Sequence, residues 1–361
     1  MTFCDLALKC VTQLQPYAPG KPIAELEREL GISNIVKLAS NENPLGPSDK
    51  VLATIAESVK DLTRYPDGNG FVLKSALADK YQLDTKQITL GNGSNDVLEL
   101  IARAFVSPTE EVLFSHYAFA VYPLVTQAIG AKPVIAPARD YGHDLQAMST
   151  LITDKTKLIF IANPNNPTGT YIEAAELEIF IEQVPDTTLV VLDEAYIEYN
   201  EQQANSIDWL KKYTNLIITR TFSKAYGLAG LRVGYALSHP DIADLLNRIR
   251  QPFNVNSIAL VAATEALHDD DYIAIAKQNN DLGMQQLIAG FNELGLNYIP
   301  SKGNFITVDV QKNADEVFAA LLQLGIIIRP LTNYGLPKHI RVSIGLDVEN
   351  QRFLEALRVT L

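Results

Sequence analysis

Several residue types and patterns are scarce in this sequence of 361 residues. Its two cysteines, Cys4 and Cys10, lie close together near the N-terminus, which favours a reducing cytoplasm over a disulfide scaffold. The five histidines are scattered without the spacing of metal ligands, so we predict no metal site. No apolar window reaches transmembrane length, and the first residues do not form the apolar block of a signal peptide. We therefore expect a cytoplasmic protein with no membrane partner.

Positive charge is scarce as well. Lys and Arg together number 30 against 42 Asp and Glu, and the net charge is −12. Nucleic acids and anionic membranes both select proteins with a basic face, so this balance argues against either as a partner. A phosphorylated ligand would have to be held by a few focused cationic side chains. The length of the chain allows about two domains and a large core.

What the sequence does contain is a series of short apolar runs that alternate with amphipathic segments of helix length. This alternation predicts an α/β fold with a mostly parallel seven-stranded sheet covered by helices on both faces. Ligands of such sheets bind beyond the carboxyl ends of the strands. The apolar runs are residues 88–90, 112–114, 134–136, 158–162, 189–192, 216–219 and 233–237.

The pattern changes at about residue 240. Helical segments are followed by a clean alternation of apolar and polar residues at 304–310, then by a helix, two strands and a final helix. We predict a large domain at residues 36–240 and a smaller α/β domain at residues 241–361. Residues 1–35 are predicted to be an N-terminal arm that packs with the small domain.

A single lysine stands out at the end of the apolar run 216–219. Lys224 lies among small and hydroxyl residues, where a desolvated ammonium loses its proton easily and the free amine can attack a carbonyl carbon. Thr221, Ser223 and Arg232 are able to hold a phosphate near that amine, because the planar arginine fork binds phosphate oxygens in pairs. Taken alone, Ser223-Lys224 is also compatible with a surface turn.

A second candidate site follows the first apolar run. Gly91-Asn-Gly93-Ser94-Asn95-Asp96 comes after a strand and opens a helix, so its backbone N–H groups are placed to bind an anion. A dinucleotide site is the competing interpretation, but Asp96 stands where the third glycine of that motif belongs. A phosphate site is therefore favoured, with a plain tight turn as the alternative.

Two further apolar runs end in polar side chains. Asn163-Pro-Asn-Asn166-Pro-Thr-Gly169 follows run 158–162, and its two Asn-Pro steps hold an amide rigidly above the sheet. Asp193 ends run 189–192, with Tyr196 three residues later. A buried aspartate is costly unless it faces a cation. Its partner could be a lysine, an arginine, a metal or a protonated ring nitrogen.

These motifs together are similar to the signature of the aspartate-aminotransferase-like family of pyridoxal-phosphate enzymes. The matching residues are Asn166 in N-P-T-G, Asp193 with Tyr196, Ser223-Lys224, and Arg232 eight positions later. The motifs span about residues 40 to 345 in the order found in the family. Within it, the segments 41–44, 64–66 and 341–345 look most like histidinol-phosphate aminotransferase.

The resemblance implies a role for each matched residue around the cofactor pyridoxal 5'-phosphate. Lys224 would be its covalent partner and would move the proton during the reaction, and Asp193 would keep the pyridine nitrogen protonated. Asn166 and Tyr196 would hydrogen-bond the phenolic oxygen of the ring, and Tyr117 would stack on the ring. The cofactor phosphate would be held by Gly93, Ser94, Asn95, Ser223 and Arg232, with Tyr65 reaching over from the partner subunit of a homodimer.

The resemblance also implies the substrates. Arg341 and Arg329 would meet the anionic end of histidinol phosphate or of glutamate and 2-oxoglutarate, and Tyr17 would close over the substrate phosphate. Asn166 and Tyr65 are the other expected substrate contacts. The implied reaction is amino transfer between L-histidinol phosphate and 2-oxoglutarate in histidine biosynthesis. An aromatic amino-acid aminotransferase and a threonine-phosphate decarboxylase of the same fold are the open alternatives.

Overall fold

The computed structural model describes residues 3–17, 19–200 and 206–361. The helices in this part of the chain are α1 Lys9–Thr12, α2 Ile23–Leu30, α3 Asp49–Ser58, α4 Phe71–Tyr81, α5 Ser94–Phe105, α6 Val121–Ala128, α7 Leu145–Thr150, α8 Ala174–Gln183, α9 Ser206–Trp209, α10 Pro240–Ile249, α11 Ser257–Leu267, α12 Asp270–Glu293, α13 Ala314–Gln323 and α14 Asp347–Thr360. Short 3-10 turns lie at Phe3–Leu6, Val59–Asp61, Thr85–Gln87, Ile197–Tyr199, Ala229–Leu231 and Thr332–Tyr334.

The strands are β1 Val36–Lys37, β2 Ile88–Gly91, β3 Glu111–Ser115, β4 Lys132–Ala136, β5 Ala138–Arg139, β6 Gly142–His143, β7 Thr156–Ala162, β8 Leu189–Asp193, β9 Leu216–Thr221, β10 Gly234–Leu237, β11 Asn297–Ile299, β12 Phe305–Asp309, β13 Ile326–Ile327, β14 Arg329–Pro330 and β15 His339–Ser343. Each of the seven apolar runs overlaps one strand of the large sheet.

The large sheet has seven strands in the order β2-β10-β9-β8-β7-β3-β4. Neighbouring strands run parallel except β10, which is antiparallel to both β9 and β2. The prediction of a mostly parallel seven-stranded sheet is therefore confirmed. The parallel order also brings the carboxyl ends of β7, β8 and β9 side by side, because these strands are neighbours in the sheet.

Both faces of the large sheet are covered, which explains why its strands are continuously apolar. Along β7, Ile159 and Ile161 point into a core shared with helices α4, α8 and α11. Leu158 and Phe160 point the other way, into a core shared with α5, α6 and α10. A polar residue within β7 would therefore be buried on either face.

A second core lies in the C-terminal part of the chain. A four-stranded antiparallel sheet, in the order β11-β12-β15-β14, packs against helices α12, α13 and α14. Strand β1 pairs with β13, and Val36 joins this second core. The N-terminal arm touches both parts, since Cys10 lies against Ala128 of α6 whereas Leu26 packs on Ile327. The predicted bounds of the arm and the two domains remain predictions.

No helix of the described residues is both long enough and apolar enough to cross a membrane. The same residues contain no group of three or more His, Cys, Asp or Glu side chains arranged to hold a metal ion.

Candidate active site

A cavity of about 190 Å³ lies where strands β7, β8 and β9 end. Strands β7 and β8 stay paired up to the cavity, because the amide of Asn163 donates to the carbonyl of Asp193 on the neighbouring strand. Most of the residues singled out in the sequence line this one cavity. They are Tyr17, Ser94, Asn95, Asn166, Asp193, Tyr196, Ser223, Lys224, Arg232, Arg329 and Arg341.

Lys224 lies in the cavity with its ammonium largely removed from water. Its Nζ donates to the backbone carbonyl of Ser40 at 3.0 Å and lies 5.5 Å from the centre of the Tyr196 ring. Burial is the main reason why the pKa of Lys224 falls from 10.5 to about 7, and the positive charges of Arg341 and Arg232 contribute to this fall. A large share of the molecules therefore carries a free, nucleophilic amine at neutral pH.

Asp193 ends β8 and is buried beside the cavity. Its Oδ2 accepts a hydrogen bond from the hydroxyl of Tyr122 at 2.9 Å, while Oδ1 makes no hydrogen bond of ordinary geometry within the described residues. Burial raises the pKa of Asp193 to about 6, and the hydrogen bond from Tyr122 opposes that rise. An orphaned carboxylate oxygen at a cavity wall calls for a cationic or N–H partner.

The hydroxyl of Tyr196 is held by two amide side chains. Asn41 donates to it at 2.9 Å and Asn166 at 3.3 Å. Burial raises the pKa of Tyr196 to about 12, so the phenol remains protonated and can donate into the cavity. Asn166 is in turn anchored through its Oδ1, which accepts from Arg341. These contacts tie the end of β7 to strand β15 of the C-terminal sheet.

Two arginines face the cavity from the C-terminal sheet. Arg329 of β14 and Arg341 of β15 are directly opposite each other in the antiparallel register, so their side chains leave the same face of the sheet. Arg341 also donates to the carbonyl of Ala39 at 2.8 Å. The guanidinium of Arg329 lies 5.5 Å from the centre of the Tyr17 ring, within cation–π range. This wall of the cavity is suited to an anionic group.

A separate anion cradle lies at the start of helix α5. The helix begins at Ser94 without a side-chain hydrogen bond at its N-cap, Gly93, so its first amides point toward solvent or a ligand. Gly93 has φ +84°, and a Cβ there would lie 2.4 Å from Nη2 of Arg232. Arg232 itself donates to Oγ of Ser223 at 3.2 Å. Only a glycine lets this arginine approach the helix end so closely.

Asp96, which argued against a dinucleotide site, braces this turn from within. Its Oδ2 accepts from the amide of Asn92 at 2.8 Å and from the side chain of Asn254 at 3.0 Å. Its carboxylate is therefore used to hold the loop in shape.

Residues 33–357 match the family described as "Aminotransferase class I and II". The chain belongs to this family. As an aminotransferase of this class, the enzyme uses pyridoxal 5'-phosphate.

Relatives of known name agree with this membership. The aminotransferase is 59% identical to "Histidinol-phosphate aminotransferase 2" of Pseudomonas fluorescens (strain Pf0-1), over 99% of this chain and 98% of the other. It is 58% identical to "Histidinol-phosphate aminotransferase 1" of Idiomarina loihiensis, over 96% of this chain and 95% of the other. The crystal structure of histidinol-phosphate aminotransferase from Sinorhizobium meliloti in complex with pyridoxal-5'-phosphate superposes with a TM-score of 0.90 at 31% identity, covering 98% of each chain. The resemblance drawn from the sequence is thus confirmed.

The cavity of the aminotransferase fits this cofactor. The neutral amine of Lys224 suits its aldehyde, the unpartnered Oδ1 of Asp193 suits a protonated ring nitrogen, and the glycine-lined cradle beside Arg232 suits its phosphate. Lys224, Asp193 and Arg232 line the same cavity, and Gly93 lies next to Arg232 without lining it. The roles of the individual residues remain predictions.

Tyr65 and Tyr117, like Gly93, lie away from the cavity wall. Tyr65 is 82% exposed and stacks on Phe253 with the ring centres 4.8 Å apart, on the outside of the subunit. Tyr117 stacks on His116 at 4.7 Å, and Phe119, two residues later, lines the cavity. A residue that serves the partner subunit's site has to be exposed on its own subunit, as Tyr65 is.

Sequence reasoning missed five polar or aromatic residues of the aminotransferase site, namely Ser40, Asn41, Phe119, Tyr122 and Tyr334. Asn41 belongs to segment 41–44, which supported the family resemblance. That motif marked the residue, although no role in the site was assigned to it. Ser40 contributes a backbone carbonyl, which no side-chain pattern reveals. Tyr122 and Tyr334 have the same appearance in the sequence as any buried aromatic residue.

Proposed function

We propose that this aminotransferase transfers an amino group between L-histidinol phosphate and 2-oxoglutarate, giving imidazole acetol phosphate and L-glutamate, in histidine biosynthesis. The observation that carries the proposal is that Arg329 and Arg341 lie on adjacent strands in register and both line the cavity. In a chain of net charge −12, the charged side chains that line the cavity among the described residues are Lys224, Arg232, Arg329, Arg341 and Asp193. Such a site focuses positive potential on anionic ligands.

The two anion-binding regions suit two separate anions. The cradle at the start of α5 would hold the cofactor phosphate, through Ser94, Asn95, Ser223 and Arg232. The Arg329–Arg341 pair would hold the phosphate of histidinol phosphate and, in the other half-reaction, a carboxylate of glutamate. Tyr17, which already covers Arg329, would close over the bound phosphate. The relatives named histidinol-phosphate aminotransferase support this choice of substrate.

The residues of the chain supply proton transfer and positioning. When bound, pyridoxal phosphate supplies a ring that accepts the electron pair released as the substrate's Cα–H bond breaks. Lys224, whose amine is neutral in about half of the molecules at pH 7, takes the Cα proton and returns it. Asp193 would hold a proton on the ring nitrogen by hydrogen bonding through Oδ1. Tyr196 and Asn166 would donate hydrogen bonds to the phenolic oxygen of the ring.

The substrate assignment is tested by the visible absorption band of the enzyme loaded with pyridoxal phosphate. We expect L-histidinol phosphate to deplete this band at far lower concentration than L-phenylalanine, with glutamate formed when 2-oxoglutarate is added. A stronger response to phenylalanine would make the protein an aromatic aminotransferase. Release of carbon dioxide from L-threonine phosphate would make it a decarboxylase. Lys224→Arg, which keeps the charge but cannot supply a neutral amine, is the matched inactive control.

We also infer that the active unit is a homodimer with its sites at the interface. Helices α3, α4 and α11 pack together and leave an exposed apolar surface that no described residue covers. Its members are Leu52, Leu62, Tyr65, Phe71, Val72, Phe253 and Val261, each more than a third exposed. An apolar surface of this kind is typical of a subunit interface. A second copy of the chain seated here would bring Tyr65 toward its partner's cavity.

Mixed dimers test this arrangement directly. Tyr65→Ala and Lys224→Ala variants should each be poorly active alone. If Tyr65 serves the partner's site, hybrid dimers contain one site with both residues intact, and mixing the two variants after dissociation restores part of the activity. If Tyr65 serves its own subunit, no site in the hybrid is complete, and mixing restores nothing. Analytical ultracentrifugation of each variant shows whether dimers re-form.

We infer a cytoplasmic location for the enzyme. The inference is supported by the free thiols of Cys4 and Cys10, which suit a reducing compartment. Cysteine alkylation in intact cells, without prior reduction, tests whether both thiols remain reduced in place.

A further inference from the structure

Tyr122 is the side chain that holds the buried carboxylate of Asp193. Its hydroxyl donates to Oδ2 of Asp193 at 2.9 Å, and Tyr122 has no exposed surface. Burial and the charge of Asp193 raise the pKa of Tyr122 well above its usual value. The phenol therefore stays protonated and acts in this pair only as a donor.

The position of this hydroxyl is set by the core of the large domain. The Tyr122 ring stacks on Phe160 with centres 4.5 Å apart and planes within 7°, and it meets Phe119 edge-on at 5.8 Å. Phe160 belongs to β7, which pairs with the strand that carries Asp193. Donor and acceptor thus stand on neighbouring rigid elements, a helix and a sheet, so that the pair cannot drift apart without disturbing the core.

We propose that Tyr122 is a positioning residue for transamination, which occupies Oδ2 of Asp193 and so reserves Oδ1 for the protonated ring nitrogen of the cofactor. This inference rests on the proposed function only in assuming that the enzyme binds pyridoxal phosphate, and it does not depend on which amino donor reacts. Without the phenol, Oδ2 would lose the hydrogen bond that fixes its direction. Asp193 would also lose an interaction that favours its ionised form in its buried surroundings.

A merely structural role for Tyr122 makes a different prediction. If the hydrogen bond served only the fold, its loss would weaken every property of the site alike. If it positions Asp193, its loss affects only interactions that involve the ring nitrogen. The two roles are separated by an analogue of pyridoxal phosphate in which a C–H group replaces that nitrogen.

The experiment measures the affinity of the apoenzyme for pyridoxal phosphate and for this analogue. Tyr122→Phe keeps the stacked ring and removes the hydroxyl. We expect it to weaken binding of pyridoxal phosphate by about tenfold or more and to leave binding of the analogue unchanged. The matched control is Tyr235→Phe, which removes another buried hydroxyl, bonded to that of Tyr81 at 2.8 Å. Equal losses for both ligands, or no loss for either, would overturn the proposal.

A second readout needs no cofactor at all. The carboxyl band of Asp193 can be followed by infrared spectroscopy of the apoenzyme with ¹³C-labelled aspartate, identified by its disappearance in Asp193→Asn. We expect its pKa to be higher in Tyr122→Phe than in wild type, and an unchanged pKa would refute the role of the phenol. This outcome does not depend on which amino donor the enzyme prefers. If Tyr122→Phe does not fold, 3-fluorotyrosine can be placed at position 122, where its more acidic hydroxyl is a stronger hydrogen-bond donor. This substitution should lower the pKa of Asp193. An unchanged or higher pKa of Asp193 would refute the role of the phenol.

Discussion

The unusual acidity of Lys224 can be measured directly in the apoenzyme, because only a neutral amine reacts with acylating reagents. Burial and the two neighbouring arginines lower its pKa from 10.5 to about 7. This difference corresponds to about 5 kcal/mol in favour of the neutral form. At pH 7 about half of the Lys224 side chains are then neutral, against roughly one in 3000 for an unperturbed lysine.

The assay is competitive labelling with a trace of acetic anhydride across pH 5 to 10, followed by peptide mass spectrometry. The same peptide labelled in denatured protein is the reference. We expect the labelling of Lys224 in the folded apoenzyme to rise with a midpoint near pH 7. In Arg341→Met the midpoint should move to higher pH, since a positive charge that repels the ammonium is removed. Arg341→Lys keeps that charge and serves as the control.

The reasoning would be refuted by a midpoint above pH 9 in the folded wild-type apoenzyme. That result would mean that water reaches Nζ freely, despite the contact with the Ser40 carbonyl. A low midpoint that does not respond to Arg341→Met would retain burial as the cause and reject the contribution of the arginine.

Three further predictions follow from the same structure. Gly93→Ala should weaken pyridoxal-phosphate binding by about tenfold or more, because the added Cβ would clash with Arg232. Gly295 also has a positive φ, but a Cβ there would meet nothing within 4 Å, so Gly295→Ala is the control. Titration of each apoenzyme with pyridoxal phosphate should show unchanged affinity for the control alone. Arg329→Met should raise KM for histidinol phosphate by about tenfold or more without changing the cofactor's absorption band, whereas Arg358→Met, which removes a surface arginine paired with Glu293, should alter neither. His143 is buried and neutral, with its pKa lowered to about 4, so the unfolded chain takes up a proton first as pH falls below 6.5. From pH 7 to pH 5 this histidine should cost about 2 kcal/mol of stability, a loss that urea unfolding should no longer show in His143→Gln; equal losses in both proteins would contradict the assignment.

The sequence was informative wherever burial or backbone geometry imposes a pattern. The strands of the large sheet are covered on both faces, so each had to be continuously apolar, and every predicted run overlaps a strand. The polar residues that end these runs, such as Asp193, were bound to lie at one edge, because parallel strands end together. The glycine at position 93 was recognisable for a similar reason, since a close approach to an anion excludes a side chain.

Other contacts could not be predicted because they join distant parts of the chain. Lys224 reaches the carbonyl of Ser40 across 184 positions, and Asn41 reaches Tyr196 across 155. Both contacts depend on strand β1 pairing with β13, which places the segment after β1 over the cavity. A two-residue strand has no periodicity to reveal its partner.

The sequence by itself determined the α/β fold, the edge of the sheet that carries the chemistry, and the lysine and aspartate that stand there. These follow from local rules, in which apolar runs must be buried and the residues after them must emerge together. Only the tertiary structure decided that Tyr122 is the donor to Asp193, that Arg329 and Arg341 face each other, and that Phe119 lines the cavity while Tyr117 stacks on His116. These positions depend on how the elements pack against each other. A small rotation of a helix, or a shift of one residue in strand register, would bring a different aromatic or cationic side chain to the cavity wall.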